Sequence, residues 1–168
     1  MTIDSYRFLP RSFRPFYEGR GPFPGEGDPV WAPFAKRLAG SRIALLTSAG
    51  IYLQGSQSTF DLDGERARPE WGDPTWRVIP SSMKPDEVGV AHLHINDDDI
   101  HTDPEVALPL RALDELVSEG VVESAAANHL SVMGYQDRRL EDWRRTTVPA
   151  IIDHLRTEQA DGLVLAPA

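Results

Sequence analysis

The sequence has 168 residues, enough for one domain with a hydrophobic core, and 40% of them are hydrophobic while 26% are charged. Its net charge of -9 disfavours nucleic acid and anionic membrane surfaces as partners, because binding to phosphate groups needs clustered Lys and Arg side chains. The absence of cysteine excludes a disulfide, a zinc–thiolate site and a cysteine nucleophile within these residues.

Residues 1–30 are predicted to form an irregular arm. Five prolines and four glycines interrupt this stretch, so no regular helix or strand is expected there. Phe and Tyr side chains scattered among them favour an arm held by its aromatic rings over a disordered tail. The first residues contain no apolar signal-peptide core, and no stretch approaches the roughly 20 apolar residues of a membrane span, so a cytoplasmic location is expected.

Residues 31–168 are predicted to form one domain, which opens with a short helix over Trp31–Leu38. The run Arg42–Ser48 is mostly apolar and is bounded by glycines, which indicates a strand buried on both faces, as in parallel sheets. Residues 51–86 are rich in Gly, Pro, Asp and Ser, and two tryptophans within them favour a packed loop. A second strand is predicted over Val88–Ile95.

The second half of the domain alternates helices and strands. Leu108–Glu119 predicts an amphipathic helix because its leucines recur at helical spacing, and Val121–Ser124 predicts a short third strand. His129–Tyr135 is interpreted as a loop or strand end, Leu140–Glu158 as the longest helix and Gly162–Ala166 as the final strand. This alternation predicts an α/β fold: a mostly parallel sheet with helices on both faces, in Rossmann-like or flavodoxin-like layering.

Polar residues close the predicted strands, and in open parallel sheets ligands bind outside the carboxyl ends of the strands. Thr47, Ser48 and Gly50 end the first strand, where their hydroxyls and N–H groups suit a carboxylate, with a simple turn as the equal alternative. His92 and His94 point to one face of the second strand because strand side chains alternate. They are predicted to line the substrate site as proton donors or anion binders, with ordinary surface residues as the alternative.

Two further interpretations of the histidines stay open. His129 is a candidate for another polar residue of the substrate site, with a buried structural histidine as the favoured alternative. His92 and His94, with Asp97 and His101 nearby, could supply the ligands of a metal site with two histidines and one carboxylate. Such spacing is common by chance, so we predict no metal and keep this set as the weaker alternative.

Five segments follow one another in an order that resembles a known family. They are Arg42–Gly64, Trp71–Met83, Val88–Val122, His129–Tyr135 and Asp161–Ala168. Together they are similar to the selenoprotein B family, which is the family of the glycine/sarcosine/betaine reductases and the D-proline reductases. The resemblance covers roughly residues 30–168. It implies an oxidoreductase subunit that cleaves a small amino acid or betaine reductively, with a thiol/disulfide redox partner.

The resemblance also implies where the redox chemistry takes place. In that family the strand similar to Gly162–Ala166 runs into a selenocysteine, usually with a cysteine a few residues on. We therefore expect the nucleophile just after Ala168, and a chain truncated at its C-terminus by a UGA codon read as stop. On this expectation selenocysteine is the cofactor of a full-length form. Residues 1–168 then hold no catalytic residue and are redox-inactive alone.

The partners implied are a small-molecule carboxylate substrate and a partner reductase subunit, and a homo-oligomer is left open. Two other functions compete with the reductase subunit. A naturally short relative would bind a small carboxylate or a partner protein without turnover. A His/Asp metal-dependent or acid–base enzyme would act without redox chemistry.

Overall fold

The computed structural model of the protein describes residues 11, 14–15, 32–68, 71–93, 95–136 and 140–168. The chain divides into two units, Met1–Phe34 and Ala35–Ala168, and the second contains the sheet. Most of the arm predicted for residues 1–30 lies outside the described residues. No helix of the described part is long and apolar enough to cross a membrane.

Strands and helices are interspersed along the second unit. In chain order they are β1 (Arg42–Thr47), β2 (Ile51–Leu53), α1 (Leu62–Ala67), β3 (Trp76–Pro80), β4 (Val88–Val90), α2 (Asp98–Thr102), α3 (Leu110–Ser118), β5 (Ser124–Ala125), β6 (Asn128–Val132), α4 (Leu140–Asp142), α5 (Val148–Thr157) and β7 (Gly162–Ala166). A π-helical stretch, Trp143–Thr147, joins α4 to α5. The long helix predicted for Leu140–Glu158 is therefore present through Thr157, with altered hydrogen bonding in its first half.

A five-stranded mixed sheet has β1 at its centre. On one side β1 pairs in parallel first with β5 and then with β6. On its other side it pairs in parallel with β7 from Ile43 to Thr47. β3 runs antiparallel to β6 at the far edge of the sheet. The prediction of an α/β fold with a mostly parallel sheet is confirmed.

Side chains of β1 alternate between two apolar layers, which explains why this short run is buried on both faces. Ile43 and Leu45 pack in one cluster with Leu110 of α3. Leu46, on the opposite face, belongs to a second cluster that includes Ile151 of α5. Each fully buried side chain of this kind contributes about 2 kcal/mol to stability. Helices therefore cover both faces of the sheet, as predicted.

Two predicted elements are wrong in extent or in place. The helix predicted over Trp31–Leu38 is absent from its described residues, all of which are exposed, and only Leu38–Gly40 forms a 3-10 turn. A short helix that buries no face is marginal in water, which explains its absence. The strand predicted over Val88–Ile95 ends at Val90 and pairs antiparallel with β2 in a separate two-stranded sheet.

The region predicted as a packed loop, residues 51–86, contains β2, α1 and β3. β3 joins the main sheet through β6, and its mixed sequence with a terminal Pro80 is typical of an edge strand, which gives only a weak signal in sequence. The third predicted strand, Val121–Ser124, is displaced to Ser124–Ala125. Val122 instead packs into the core cluster beside α3.

The parallel strands β1, β6 and β7 end at one edge of the sheet, which we call the carboxyl edge. Ser48 directly follows β1, Gly134 comes two residues after β6, and Ala168 comes two residues after β7. The Ser48 N–H donates to the carbonyl of Ala166 at 3.2 Å, so β1 and β7 stay paired to this edge. The fold thus gathers three chain segments where ligands bind in open parallel sheets.

Candidate functional site

The turn after β1 ties three segments of the chain together. The Gly50 N–H donates to the Val132 carbonyl at the end of β6, and the Gly50 carbonyl accepts from the Ala91 N–H just beyond β4, both at 3.0 Å. Gly50 has φ 65°, and a Cβ there would lie 2.4 Å from the Ala91 oxygen. The turn therefore requires glycine, and it carries the segment after β4 to the carboxyl edge.

Ser48 and His92 approach the same point beside Gly134. A Cβ built on Gly134 would lie 3.3 Å from Ser48 Oγ and 3.4 Å from His92 Nε2. The Ala168 N–H donates to Ser48 Oγ at 2.9 Å, so the end of the β7 segment also reaches this point. Ser48 and His92 are half-buried and Gly134 is exposed, which leaves the site open to solvent. We call Ser48, His92 and Gly134 the carboxyl-edge site.

A hydroxyl and an imidazole at one point make a small polar site with defined chemistry. The Ser48 hydroxyl oxygen accepts from the Ala168 N–H, and a hydroxyl can donate its proton at the same time. The imidazole of His92 carries ring nitrogens that can donate or accept a hydrogen bond. Together they suit a carboxylate, and His92 can in addition deliver a proton to a reacting group.

Thr47 and Gly50 shape the edge on which Ser48 lies. Thr47 is fully buried, and its Oγ1 accepts from the Ala49 N–H at 3.1 Å within the turn. Both backbone polar groups of Gly50 are used by neighbouring segments. The structure therefore brings Ser48 and His92 together, with Thr47 and Gly50 as the scaffold behind them.

His129 lies inside the sheet, level with Leu45 and away from the carboxyl edge. Its side chain is fully buried, and its Nδ1 accepts from the Leu45 N–H at 3.0 Å. Its Nε2 lies 3.0 Å from Ser81 Oγ, whose own proton is donated to the Ala126 carbonyl at 2.8 Å. These partners require a neutral imidazole protonated at Nε2. Burial lowers the pKa of His129 to about 4, which agrees with a neutral ring at pH 7.

The structure describes three of the four residues of the alternative metal site. His94 lies outside the described residues. His101 Nε2 is 3.3 Å from Asp97 Oδ2, and each of the two side chains is a little less than half exposed. His92 belongs to the carboxyl-edge site. Within the described ranges, no group of three or more His, Asp or Glu side chains is arranged to hold a metal ion.

Gly134 and the Ala168 N–H are the two parts of the site that sequence reasoning missed. The available signal was a glycine next to the end of the segment His129–Tyr135, where a strand reaches the edge of the sheet. Because glycine also serves in ordinary turns, its neighbours had to be known before it pointed to a site.

Comparison with known proteins adds one distant relative. No family model and no solved structure matches the sequence. The D-proline reductase subunit gamma of Acetoanaerobium sticklandii is 27% identical over 137 residues, which are 82% of this chain and 52% of that protein. The chain thus spans about half the length of this curated relative. The similarity supports a relationship to a reductase family. It does not show membership of the selenoprotein B family itself.

Proposed function

We propose that this chain is the substrate-binding part of a reductase of the selenoprotein B type, acting on a small amino acid related to proline. The observation that carries the proposal is the convergence of Ser48 and His92 at the carboxyl edge, beside the end of β7. The name of the distant relative supplies the substrate class, a cyclic amino acid with a free carboxylate.

In this proposal the two polar side chains have separate tasks. The Ser48 hydroxyl donates to one oxygen of the substrate carboxylate. His92 binds the second oxygen or, when protonated, delivers a proton to the nitrogen that leaves the α-carbon. Cleaving the C–N bond of proline in this way opens the ring and gives 5-aminopentanoate.

The two electrons for this cleavage come from a selenol or thiol that residues 1–168 do not contain. The selenol or thiol pair is oxidised to a selenosulfide or disulfide as the C–N bond is reduced, and a thiol-bearing partner returns it to the reduced state. We expect this nucleophile just after Ala168, as the resemblance implies. Because Ala168 hydrogen-bonds to Ser48, a substrate held by Ser48 would lie beside that position.

Binding of D-proline to the full 168-residue chain tests this proposal. Calorimetry is expected to detect D-proline binding that Ser48→Ala and His92→Gln each weaken about tenfold or more, because each removes a hydrogen bond to a charged group. Glu119→Gln, on an exposed side chain after α3, is the matched control and is expected to bind as the parent does. If D-proline, glycine, sarcosine and betaine all fail to bind, the proposal is wrong.

The lack of cysteine favours a second candidate, a module that binds a small carboxylate without turning it over. Turnover separates the two. A reductase part, supplied with a dithiol and with the partner subunit or segment that carries the selenol, yields 5-aminopentanoate from D-proline in an amount limited by the dithiol. The binding module retains D-proline unchanged under the same conditions. Labelled substrate followed by mass spectrometry distinguishes these outcomes.

A further inference from the structure

One side of β7 is unpaired among the described strands. β1 pairs with β7 on one side, and no described strand pairs with it on the other. The Ala166 carbonyl accepts from the Ser48 N–H, so it points toward β1. Because backbone groups alternate in direction along a strand, the N–H and C=O groups of Leu163 and Leu165 point to the open side. β7 therefore offers hydrogen-bonding groups to a further strand.

The side chains of β7 at this edge are apolar and exposed on both faces of the sheet. Val164 is paired with Leu45, on the face that α3 covers, and it is 50% exposed. Leu165 is paired with Leu46, on the face that α5 covers, and it is 65% exposed. A helix laid on one face would bury only one of these two side chains. A strand beside β7 carries side chains on both faces and can bury both.

β3, at the opposite edge of the sheet, has a different composition. It carries Arg77 and ends in Pro80, and charges and prolines are what proteins place on edges that stay free. β7 has the sequence Gly-Leu-Val-Leu-Ala, with neither a charge nor a proline. In this it is similar to the central strand β1, whose run Ile43–Leu46 is apolar throughout. β7 thus has the composition of an interior strand.

We propose that β7 pairs, in parallel, with an apolar strand of the partner polypeptide that carries the selenol. This inference rests on the proposed function, which requires such a partner. A parallel strand would end at the carboxyl edge, about 5 Å from the end of β7. There the Ala168 N–H meets Ser48 Oγ, so the loop after the partner strand would bring the selenol to the substrate that Ser48 holds.

Charge and topology favour a different polypeptide over a second copy of this chain. A net charge of -9 on each copy makes two copies repel each other. Two copies related by a two-fold axis would pair their β7 strands antiparallel, whereas a strand buried on both faces is typical of parallel sheets. The matched residues make up 52% of the distant relative, so about half of that protein lies outside the match and has room for such a strand.

Photo-crosslinking in the cells that make the protein tests the pairing. Benzoylphenylalanine is introduced at Val164, at Leu165 and, as the control, at Val106, an apolar side chain that is 63% exposed outside the sheet. After illumination the crosslinked peptides are sequenced by mass spectrometry. We expect positions 164 and 165 to capture the same apolar strand of a second polypeptide, one that contains selenocysteine or cysteine. Position 106 is expected not to capture it.

The two β7 positions lie on opposite faces, so their results separate the alternatives. Capture from one position alone shows a cover on one face and overturns strand pairing. Capture of a second copy of this chain overturns the partner, and capture of nothing overturns the whole inference. Melting temperatures within about 3 °C of the parent value show that the variants fold.

A charge at the edge provides a second test, which does not depend on benzoylphenylalanine. Leu165→Lys is expected to keep the fold and D-proline binding, because the Leu165 side chain is exposed and is not part of the carboxyl-edge site. Turnover of D-proline with the dithiol and the selenol-bearing partner is expected to fall at least about tenfold, while Val106→Lys turns over as the parent does. Equal turnover of Leu165→Lys and the parent overturns this inference and leaves the proposed function standing. If the parent binds no D-proline, the proposed function is wrong, and the crosslinks still decide whether β7 is paired.

Discussion

The Leu45 N–H donates a hydrogen bond to His129 Nδ1 at 3.0 Å, in a position where a strand carbonyl would ordinarily accept. β5 pairs with β1 up to Ile43 and β6 pairs with it from Leu46, so Leu45 lies between the two ladders. Buried N–H groups need an acceptor, and the imidazole supplies it. His129 thus completes the hydrogen bonding of the sheet from a side chain.

Replacing His129 by Gln is expected to remove part of the acid sensitivity of the protein. Burial lowers the pKa of His129 to about 4, against 6.5 for the ordinary group. The unfolded chain therefore binds a proton at higher pH than the folded chain does. The contribution of the neutral ring to the free energy of unfolding is complete above about pH 6.5. It is lost as the pH falls from about 6.5 through 4, by an amount on the order of 3 kcal/mol.

Urea unfolding at several pH values between about 7 and 4 measures this effect. The free energy of unfolding is expected to fall more steeply with decreasing pH in the parent chain than in His129→Gln, which cannot titrate. Parallel curves for the two proteins would show that the His129 proton is not coupled to folding.

Replacing Gln159 by Gly is expected to stabilise the protein by about 1 kcal/mol. Gln159 has φ 56° at the end of α5. Its N–H donates to the Arg156 carbonyl, and the Ala160 N–H donates to the Leu155 carbonyl, both at 3.0 Å. This is the helix ending that favours glycine, because a Cβ is strained at positive φ. Gln159→Ala loses the same side chain and keeps the strain, so it serves as the control. Chemical denaturation of the parent, Gln159→Gly and Gln159→Ala measures the three free energies of unfolding. If Gln159→Gly is no more stable than Gln159→Ala, the backbone at this position is not strained.

Replacing Glu158 by Gln is expected to destabilise the connection between β5 and β6 by about 1–2 kcal/mol at pH 7. Glu158 accepts hydrogen bonds from the backbone N–H groups of Ala127 and Asn128 and from the Asn128 side chain, at 2.7–3.2 Å. Burial alone would raise the pKa of Glu158, but these hydrogen bonds outweigh burial and the pKa lies below its usual range.

The contribution of Glu158 to the free energy of unfolding is therefore complete above the ordinary carboxyl pKa. It is lost as the pH falls through the lowered pKa of the folded chain. The gap in unfolding free energy between parent and Glu158→Gln is expected to narrow in acid. Glu119→Gln, which changes an exposed carboxyl, is the control. A gap that stays constant from about pH 7 to pH 3 would argue against the hydrogen-bonded carboxylate.

Replacing Gly50 by Ala is expected to cost more than about 3 kcal/mol. The added Cβ would lie 2.4 Å from the Ala91 carbonyl oxygen and 2.7 Å from Met133 Sδ, at φ 65°. Because Gly50 also holds the segment that carries His92, ligand binding should weaken together with stability. Thermal unfolding of Gly50→Ala beside Gly40→Ala measures the effect, and equal melting temperatures would contradict the tight turn.

The fold was predictable where the local pattern is strong. The apolar run of β1, the amphipathic helix α3 and the closing strand β7 lie where the sequence indicated them, because each carries its own periodicity or apolar run. β3 was missed, since an edge strand that contains Arg77 and ends in Pro80 gains its structure from pairing with β6.

The carboxyl-edge site was predictable in part. Ser48 was named because strand ends at one edge of a parallel sheet meet. His92 was named for the same reason, but its strand ends at Val90 and belongs to the separate two-stranded sheet, and the hydrogen bond from Ala91 to Gly50 is what brings His92 to the edge. Gly134 was not predicted, because the sequence does not show which side chains lie beside a glycine. The three candidate histidines that the sequence offered for the site could not be ranked by residue type, since all carry the same ring.

The sequence by itself determined that no thiol chemistry occurs within these residues, that short apolar runs form the sheet, and that glycines mark its turns. These properties depend on composition and on neighbours along the chain. Only the tertiary structure decided that His129 serves the sheet and that His92 lies at its edge. The partners of His129, Leu45 and Ser81, are 84 and 48 residues away in the chain, and contacts at such distances exist only after folding.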